Sequence, residues 1–474
     1  MTEDMTILDL ATYAIYLVAS VSFILALKFL ASPKTARTGN LLGAAGMALV
    51  VAWTVATTEG LLDNWWVLVV GGLVGTVIGV VGARRVPMTA MPQMVAIFNG
   101  AGGGAAAVVA VSEFLTATGE TSPGADLLPT VPVIATLLGA VIGSVSLTGS
   151  VIAFGKLQGF IAARPVTYPG SRLVAGILLA ALLVMAVALA FVTNDVTLFL
   201  VFVALALVAG VLIVMPIGGA DMPVVISLLN SSTGIAVAAT GFVLGNYALL
   251  IAGTLVGASG AILTQLMCRA MNRSLLNVLF GAFGTGGGAQ VAGAAGEQNV
   301  RTINAEDAAV LMAYGKSVII VPGYGMAVAQ AQTPVRELMD LLLAKGVDVQ
   351  FAIHPVAGRM PGHMNVLLAE ANVPYERLKE MDEINDDFAN ADVALVIGAN
   401  DVTNPAARTD TTSPIYGMPI LNVDHARHVI VLKRSMAAGF AGIDNPLYAD
   451  PRTTMLFGDA KDTVEDLVTG VKAA

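Results

Sequence analysis

Long apolar runs separated by short polar segments fill the first 274 positions of the chain. A helix needs about 20 apolar residues to cross roughly 30 Å of hydrocarbon, and each run is long enough. The pattern predicts spans near residues 8–30, 41–58, 66–83, 91–115, 132–154, 173–193, 197–216, 222–242 and 247–269. We therefore expect a multi-pass α-helical membrane domain of about nine helices over residues 1–274.

The pattern changes after residue 274. Residues 275–304 are rich in glycine and polar side chains, a composition typical of a flexible linker. Short apolar strands then alternate with helices: strands at 317–321, 347–353, 393–397, 419–423 and 429–433, and helices near 326–345, 362–371 and 461–472. This alternation predicts an α/β Rossmann-like domain with a parallel doubly wound sheet over residues 305–474.

Loop charges predict the orientation of the spans. Lys and Arg follow the first, third, fifth and ninth spans, whereas the loops on the opposite side carry carboxylates and no Lys or Arg. Because basic loops stay on the cytosolic side, we expect the N-terminus outside and the C-terminal domain in the cytosol.

The net charge of -9 lies wholly in the part of the chain after residue 274, since the first 274 residues carry ten basic and ten acidic side chains. An acidic soluble domain argues against nucleic acid as a partner. The lone cysteine, Cys268, excludes a disulfide framework and a multi-cysteine metal site, and no metal is predicted.

The fourth and eighth predicted spans share a motif. Each begins with Met-Pro and places an asparagine seven residues after the proline, at Asn99 and Asn230. At about 1.5 Å per residue, both amides lie roughly 10 Å into the membrane. Such an amide can form a hydrogen bond that holds two helices together, or it can be part of a polar, water-bearing path through the bundle. The sequence leaves both interpretations open.

Asp221 directly precedes the eighth span, where it fits an N-cap and a proton-handling group equally well. All four histidines lie beyond residue 274, and an amide does not titrate near neutral pH. A proton relay would therefore need a titratable group from elsewhere, such as a partner subunit.

A glycine turn follows the first predicted strand at Gly323-Tyr324-Gly325-Met326-Ala327-Val328. Glycines there let the backbone approach a pyrophosphate at a helix N-terminus, although Val328 occupies the usual third-glycine position. The second strand ends at His354 and lacks the acidic residue that binds an NAD ribose. Arg359 and the cluster Lys433-Arg434-Ser435 offer cations instead, which favours NADP, although such a cluster can also be an ordinary solvated surface.

Six segments resemble the β subunit of proton-translocating NAD(P) transhydrogenase, and the resemblance covers nearly the whole chain. They are GGADMP at 218–223, PGYGMAVAQA at 322–331, HPVAGRMPGHMNVLLAEA at 354–371, MDEINDDF at 381–388, GAND at 398–401 and KRSM at 433–436.

The resemblance implies an NADP(H) site on this chain, with the 2'-phosphate held by residues 433–435. Its implied residues are Gly323, Tyr324, Gly325, Met326, Ala327, Val328, Val356, Ala357, Gly358, Arg359, Met360, Pro361, Gly398, Ala399, Asn400, Asp401, Gly417, Met418, Lys433, Arg434, Ser435, Gly439, Phe440, Ala441, Asp459 and Ala460. Asp221 and Asn230 match positions linked to proton translocation, Asn99 is also expected on the proton pathway, and Asp401 is expected to take part in catalysis.

The resemblance also implies partners. One or more α subunits would carry an NAD(H) domain and further membrane helices, and the whole complex would be a dimer in a bacterial-type inner membrane. Hydride would pass between the two nicotinamides as a proton crosses the bilayer. Asn99 departs from relatives that have histidine there, so the proton-carrying residue is open, and Phe440 stands where some relatives have tyrosine.

Two other classes of function fit parts of the pattern. A channel or transporter with a nucleotide-sensing domain would show ion flux without hydride transfer, and it would need ion-coordinating loops within the spans. A structural anchor for a soluble dehydrogenase would keep its activity after Asp221 and Asn230 are replaced.

Overall fold

The computed structural model describes most of the chain: residues 6–32, 35–58, 61–120, 128–162, 165–167, 170–272, 274–280, 300–358, 362–413, 415–437, 439 and 441–474. The glycine-rich run of the predicted linker, and the expected site residues Arg359, Met360, Pro361 and Phe440, lie outside these ranges. The proposed division at residues 274 and 304 stays a prediction.

Nine helices in the described residues are long and apolar enough to cross a membrane. They are α1 Ile7–Leu30, α2 Ala36–Thr57, α3 Trp65–Arg85, α4 Met91–Glu120, α5 Thr130–Gln158, α6 Ser171–Phe191, α7 Val196–Val214, α8 Met222–Val243 and α9 Tyr247–Ala270. This confirms the nine predicted spans and their positions to within a few residues.

Small residues allow α4 and α5 to pack backbone against backbone. A Cβ at position 143 would lie 2.6 Å from the carbonyl oxygen of Gly103, and one at position 103 would lie 2.8 Å from the Cβ of Ser146. Such contacts are closer than any side chain permits, so glycine is required at both positions. Close packing of this kind replaces the hydrophobic effect, which is weak between helices in lipid.

The C-terminal part holds a six-stranded parallel sheet in the order β3-β2-β1-β4-β5-β6. The strands are β1 Ser317–Pro322, β2 Asp348–Ile353, β3 Leu378–Glu380, β4 Val393–Ile397, β5 His428–Lys433 and β6 Thr453–Phe457. The helices of this part are α10 Leu275–Phe280, α11 Ala305–Ala313, α12 Tyr324–Val328, α13 Gln332–Ala344, α14 His363–Glu370, α15 Met381–Ile384, α16 Ala406–Thr409 and α17 Ala460–Ala473. The doubly wound fold is confirmed.

Apolar layers cover both faces of the sheet, as a parallel sheet requires. Along β1, Val318 and Ile320 face the layer that includes α13, α14 and α17. Ile319 and Val321 face the opposite layer, which includes Phe388. Burial on both faces explains why the strands read as continuous apolar runs.

The predicted strand at 419–423 is wrong, because these residues form no strand pairing. Their backbone groups find other partners: Leu421 N donates to the Val402 carbonyl at 2.9 Å, and Asn385 Nδ2 donates to the Ile420 carbonyl at 3.0 Å. The segment is apolar because Leu421 is buried in the layer against the sheet and Ile420 is buried in a separate cluster with Ile415 and Met418. A buried apolar segment that pairs with no strand of the sheet therefore resembles a strand in its sequence but does not form one.

The predicted helix at 326–345 is two helices, α12 and α13. Gln330 between them has a φ of 53°. Pro334 is the physical reason for the break, because it has no N–H for the Gln330 carbonyl and its ring would clash with that carbonyl in a continuous helix. At the third position of a new helix, proline costs little. The short strands β3 and β6 were not predicted from the sequence pattern.

Candidate functional site

Two glycine turns meet at the carboxyl ends of β1 and β4, where the strand order reverses. Gly323 N donates to the Ile397 carbonyl at 2.9 Å, and Gly325 N donates to the Gly398 carbonyl at 3.0 Å. Gly398 has a φ of 66°, and a Cβ on it would lie 2.8 Å from the nitrogen of Gly325. The turns thus hold each other at backbone distance, at the point where doubly wound sheets bind nucleotides.

The residues of the first turn divide between core and surface. Met326 and Ala327 are fully buried and pack in the core, so only their backbone is available to a ligand. Val328 is half-exposed. The Tyr324 ring lies 6.4 Å from the His363 ring, which places it beside α14.

His354 ties the loop after β2 to the 417–419 segment. Its Nε2 contacts the Pro419 carbonyl at 2.8 Å, and its Nδ1 accepts from Val356 N at 3.2 Å. Burial lowers the pKa of His354 to about 4, against a smaller opposite effect of the Pro419 carbonyl. A neutral ring with a proton on Nε2 satisfies both contacts at once.

The segment containing Gly439 and Ala441 lies against Asp401. Ala441 N donates to Asp401 Oδ2 at 3.0 Å, and a Cβ at position 439 would lie 2.5 Å from Asp401 Oδ1. Both expected groups, 398–401 and 439–441, are therefore in contact. The Asp401 carboxylate orders this loop through its backbone.

Three polar residues, of which Asn445 and Tyr448 are buried and Asn400 is partly buried, support the same corner. Asn400 Oδ1 accepts from Tyr448 OH at 2.7 Å and from Asn445 Nδ2 at 3.1 Å. Burial raises the pKa of the Tyr448 phenol, so it remains a donor. Tyr448 and Asn445 were not among the site residues expected from the sequence, although the Asn-Pro pair at 445–446 is typical of a turn.

Lys433, at the end of β5, is held on three sides. Its ammonium lies 5.0 Å from the ring centroid of Tyr448 and donates to the Ala437 carbonyl, while its own carbonyl accepts from Gly458 N at 3.2 Å. Burial lowers the pKa of Lys433, and the carboxylates of Asp401 and Asp444 act in the opposite direction.

Exposed polar side chains lie next to the half-buried Lys433. Arg434 and Ser435 next to it are exposed, and Asp459 caps α17 by accepting from Lys461 N at 3.0 Å. The arrangement is a half-buried cation flanked by exposed donors, which suits a phosphate.

In the membrane helices, Asn99 is buried on α4 and its Nδ2 donates to Ser150 Oγ on α5 at 2.9 Å. Asn230 is partly buried on α8. Both asparagines lie eight residues after the first residue of their helix, which agrees with the matched depth expected from the sequence. Asp221 is partly exposed in the turn before α8.

Comparisons with known proteins agree with this architecture. A family model described as NAD(P) transhydrogenase beta subunit matches residues 12–470. Two relatives named NAD(P) transhydrogenase subunit beta, both from Rhodospirillum rubrum and one of them from a defined strain, are each 53% identical over 460 residues, which cover 96% of this chain and 98% of the relative. The chain belongs to the NAD(P) transhydrogenase beta-subunit family of proton-translocating oxidoreductases.

Proposed function

We propose that this chain binds NADP(H) in its C-terminal domain and exchanges hydride with NAD(H) on a partner α subunit, in the sense NADH + NADP+ + H+(out) to NAD+ + NADPH + H+(in). The nicotinamides carry the redox chemistry. The residues of this chain hold and orient the nucleotide, and none needs to act as an acid or base on the hydride. The α subunits would add the NAD(H) domain and further membrane helices, in a dimer of the whole complex.

The paired glycine turns support a pyrophosphate site. With no Cβ at positions 323, 325 and 398, the two turns pack backbone against backbone at the switch point of the sheet, where doubly wound sheets bind nucleotides. Because α12 has only five residues, its dipole contributes less than that of a full helix. Gly323 N and Gly325 N already donate to protein carbonyls, so other backbone N–H groups of the two turns would supply the contacts to the phosphates.

The observation that carries the NADP assignment is Lys433, a half-buried ammonium fixed between Tyr448 and the Ala437 carbonyl. The carboxylates of Asp401 and Asp444 favour its charged form, which keeps the ammonium available to an anionic ligand. With Arg434 and Ser435, it would bind the 2'-phosphate that distinguishes NADP(H) from NAD(H). The loop at 354–358 and the segment at 439–441 would close over the rest of the nucleotide.

The cofactor assignment is tested by the double variant Lys433→Ala with Arg434→Ala. We expect NADPH affinity to fall by about 100-fold or more, because two charge-assisted contacts are lost. The weak binding of NAD(H) should change little. Nucleotide fluorescence on the purified full chain measures both affinities. The control, Lys316→Ala with Arg427→Ala, removes the same two charges from the amino ends of β1 and β5, opposite the candidate site, and should leave NADPH binding intact. Equal losses for both nucleotides, or for both double variants, would refute the assignment.

Proton translocation would use the polar groups of α4 and α8. Asn99 and Asn230 lie at one depth, and Asp221 stands at the start of α8. The Met91 end of α4 is expected to face the cytosol, because basic residues follow α1, α3, α5 and α9. Proton movement would be coupled reciprocally to nucleotide occupancy.

Proteoliposomes with the assembled αβ complex test this coupling. We expect Asp221→Asn to lower NADPH-driven proton uptake by about 100-fold or more, the contribution of a proton-transfer group, and Asn230→Leu to lower it at least about tenfold through the loss of a polar group on the path. Asp63→Asn, an exposed carboxylate between α2 and α3, is the control and should pump normally. If both variants pump like the control, these residues do not form the path, and hydride transfer without any pumping in the wild type would refute the coupling itself.

A further inference from the structure

Glu113 is an ionisable side chain inside a membrane helix, seven residues before the end of α4. It is partly buried and lines a small cavity between α4, α5 and α8, together with Ala110, Thr136, Gly139, Thr240 and Val243. No other titratable group lines this cavity within the described part of the chain. Carboxylates in membrane helices are costly, and they are retained chiefly where they pair or handle protons.

Glu113 lies on the same face of α4 as Asn99. The two residues are fourteen positions apart, which is two heptads, and an ideal helix drifts only about 20° per heptad. Their separation along the axis is roughly 21 Å. One helix face therefore carries the buried amide near the Met91 end and the carboxylate near the other end.

Packing against α7 fixes this rotation of α4. The ring of Phe114 stacks on Phe199 with centroids 4.0 Å apart, and both rings are almost fully buried. Phe114 thereby points the neighbouring Glu113 toward α5 and α8. On α7, the carboxylate at this end is Asp195, which is engaged as the N-cap of that helix by Leu198 N at 2.6 Å.

Hydroxyl groups of α5 and α8 lie at both ends of the interval between Asn99 and Glu113. At the Asn99 end, Ser150 contacts Asn99, Ser146 lies against Gly103 and Thr233 lies against Gly102, and at the other end Thr136 and Thr240 line the cavity of Glu113. The Thr136 and Thr240 hydroxyls donate to carbonyls of their own helices. Their oxygen lone pairs remain available to accept.

Several of these polar atoms have no protein partner in the described residues. Ser146 Oγ, Thr233 Oγ1 and Asn99 Oδ1 are buried without a hydrogen bond. Each such group costs about 1–3 kcal/mol if it stays unpaired. Buried water is the usual partner of groups of this kind, so these three atoms provide water sites at the Asn99 end of the interval.

We propose that Glu113 is the carboxylate that exchanges protons between the outer solution and this path. Its carboxylate takes a proton from hydronium on the outer side and becomes a carboxylic acid. It then releases the proton to water beside Thr136 and Thr240 and returns to the carboxylate. The proton moves on past Ser146 and Thr233 to the level of Asn99. The inference rests on the proposed proton translocation and supplies a titratable group within this chain.

The test uses Glu113→Gln and Glu113→Asp in the assembled αβ complex in proteoliposomes. Glu113→Gln should lower pumping at least about tenfold and abolish the dependence of the rate on pH at the Glu113 side, while nucleotide binding and a single turnover of hydride between bound nucleotides remain. Glu113→Asp should restore the pH dependence. The control is Asp63→Asn, which should behave as wild type.

Replacing one hydroxyl tests the path beyond the carboxylate. Thr240→Val removes a hydroxyl that lines the cavity, and Thr254→Val removes an exposed hydroxyl on α9 with the same bond to its own helix, Thr254 Oγ1 to the Leu250 carbonyl. Only Thr240→Val should slow pumping. Equal pumping by the two would remove Thr240 from the path.

The outcomes separate this inference from the proposed function. If the wild-type complex pumps and Glu113→Gln pumps equally with an unchanged pH profile, Glu113 is not the proton acceptor and the inference fails alone. If Glu113→Gln and Glu113→Asp are equally impaired, the side chain acts through packing and the inference also fails. If the wild type transfers hydride without moving protons, the proposed function fails first.

Discussion

Replacing Gly398 by alanine tests whether the two glycine turns build the nucleotide site. Two costs add at this position. Its φ of 66° is a left-handed conformation, which costs a residue with a Cβ about 1–2 kcal/mol. The new Cβ would also lie 2.8 Å from the nitrogen and the carbonyl carbon of Gly325, where about 3.5 Å is needed, and overpacking of this kind costs about 1–3 kcal/mol.

The turns must then separate by close to an ångström, which disturbs the hydrogen bond from Gly325 N to the Gly398 carbonyl. We expect the C-terminal domain of Gly398→Ala to lose about 2–5 kcal/mol of stability and the full chain to bind NADPH at least about tenfold more weakly. Hydrogen exchange of peptides from β1 and β4 measures the first effect, and a fluorescence titration with NADPH measures the second.

Gly346→Ala is the matched control. Gly346 also has a positive φ, 87°, but a Cβ there would meet nothing within 4 Å. The Gly346→Ala variant should lose only the stability that the left-handed backbone conformation costs, about 1–2 kcal/mol, and its NADPH binding should be unchanged. If both alanine variants bound NADPH equally well, the close contact of the two turns would not shape the site.

Tyr448→Leu removes the ring beneath Lys433 and should raise the NADPH dissociation constant by about 3- to 30-fold, corresponding to a cation–π contact of about 0.5–2 kcal/mol, whereas Tyr448→Phe keeps the ring and should change it less. Titration of both variants decides this, and an equal effect would assign the loss to the hydroxyl. His354 has a folded pKa near 4, below its unfolded value of about 6.5. Its contribution to stability is therefore complete above pH 6.5 and falls toward pH 4, by up to about 3 kcal/mol. Thermal unfolding of His354→Gln across this range should show a flatter pH dependence, and an unchanged slope would exclude His354 as the cause.

The membrane helices could be predicted closely because lipid imposes a simple rule on length and polarity. The ends of α4 and α5 extend several residues beyond the predicted spans, since a helix continues into the interface where apolar composition no longer applies. The strands β1, β2, β4 and β5 could be predicted from the sequence, because their residues are apolar on both faces of the sheet. The three residues of β3, Leu378–Glu380, offer no such run.

The candidate site was predictable where glycine or a cationic pair marks the chemistry, as at Gly323 and Lys433. Tyr448 and Asn445 could not be recognised in this way. They act by supporting other residues, and the contact between Lys433 and Tyr448 crosses fifteen positions of chain that no local pattern relates. Tyr448 lies in the connection between β5 and β6, and the path of that connection brings its ring to Lys433.

Glu113 shows how a charge rule conceals a functional group. Glu113 lies two residues before the end of the predicted span 91–115, where a carboxylate can belong to the outer membrane interface or to the bundle interior, and a search for histidine passes over it. Burial separates the two interpretations, because a loop carboxylate would be solvated whereas Glu113 is partly buried beside Thr136 and Thr240. An amide such as Asn99 can orient water but cannot hold a charge, so a path with an amide near one end needs a titratable group elsewhere. Within this chain, the same face of α4 supplies that group.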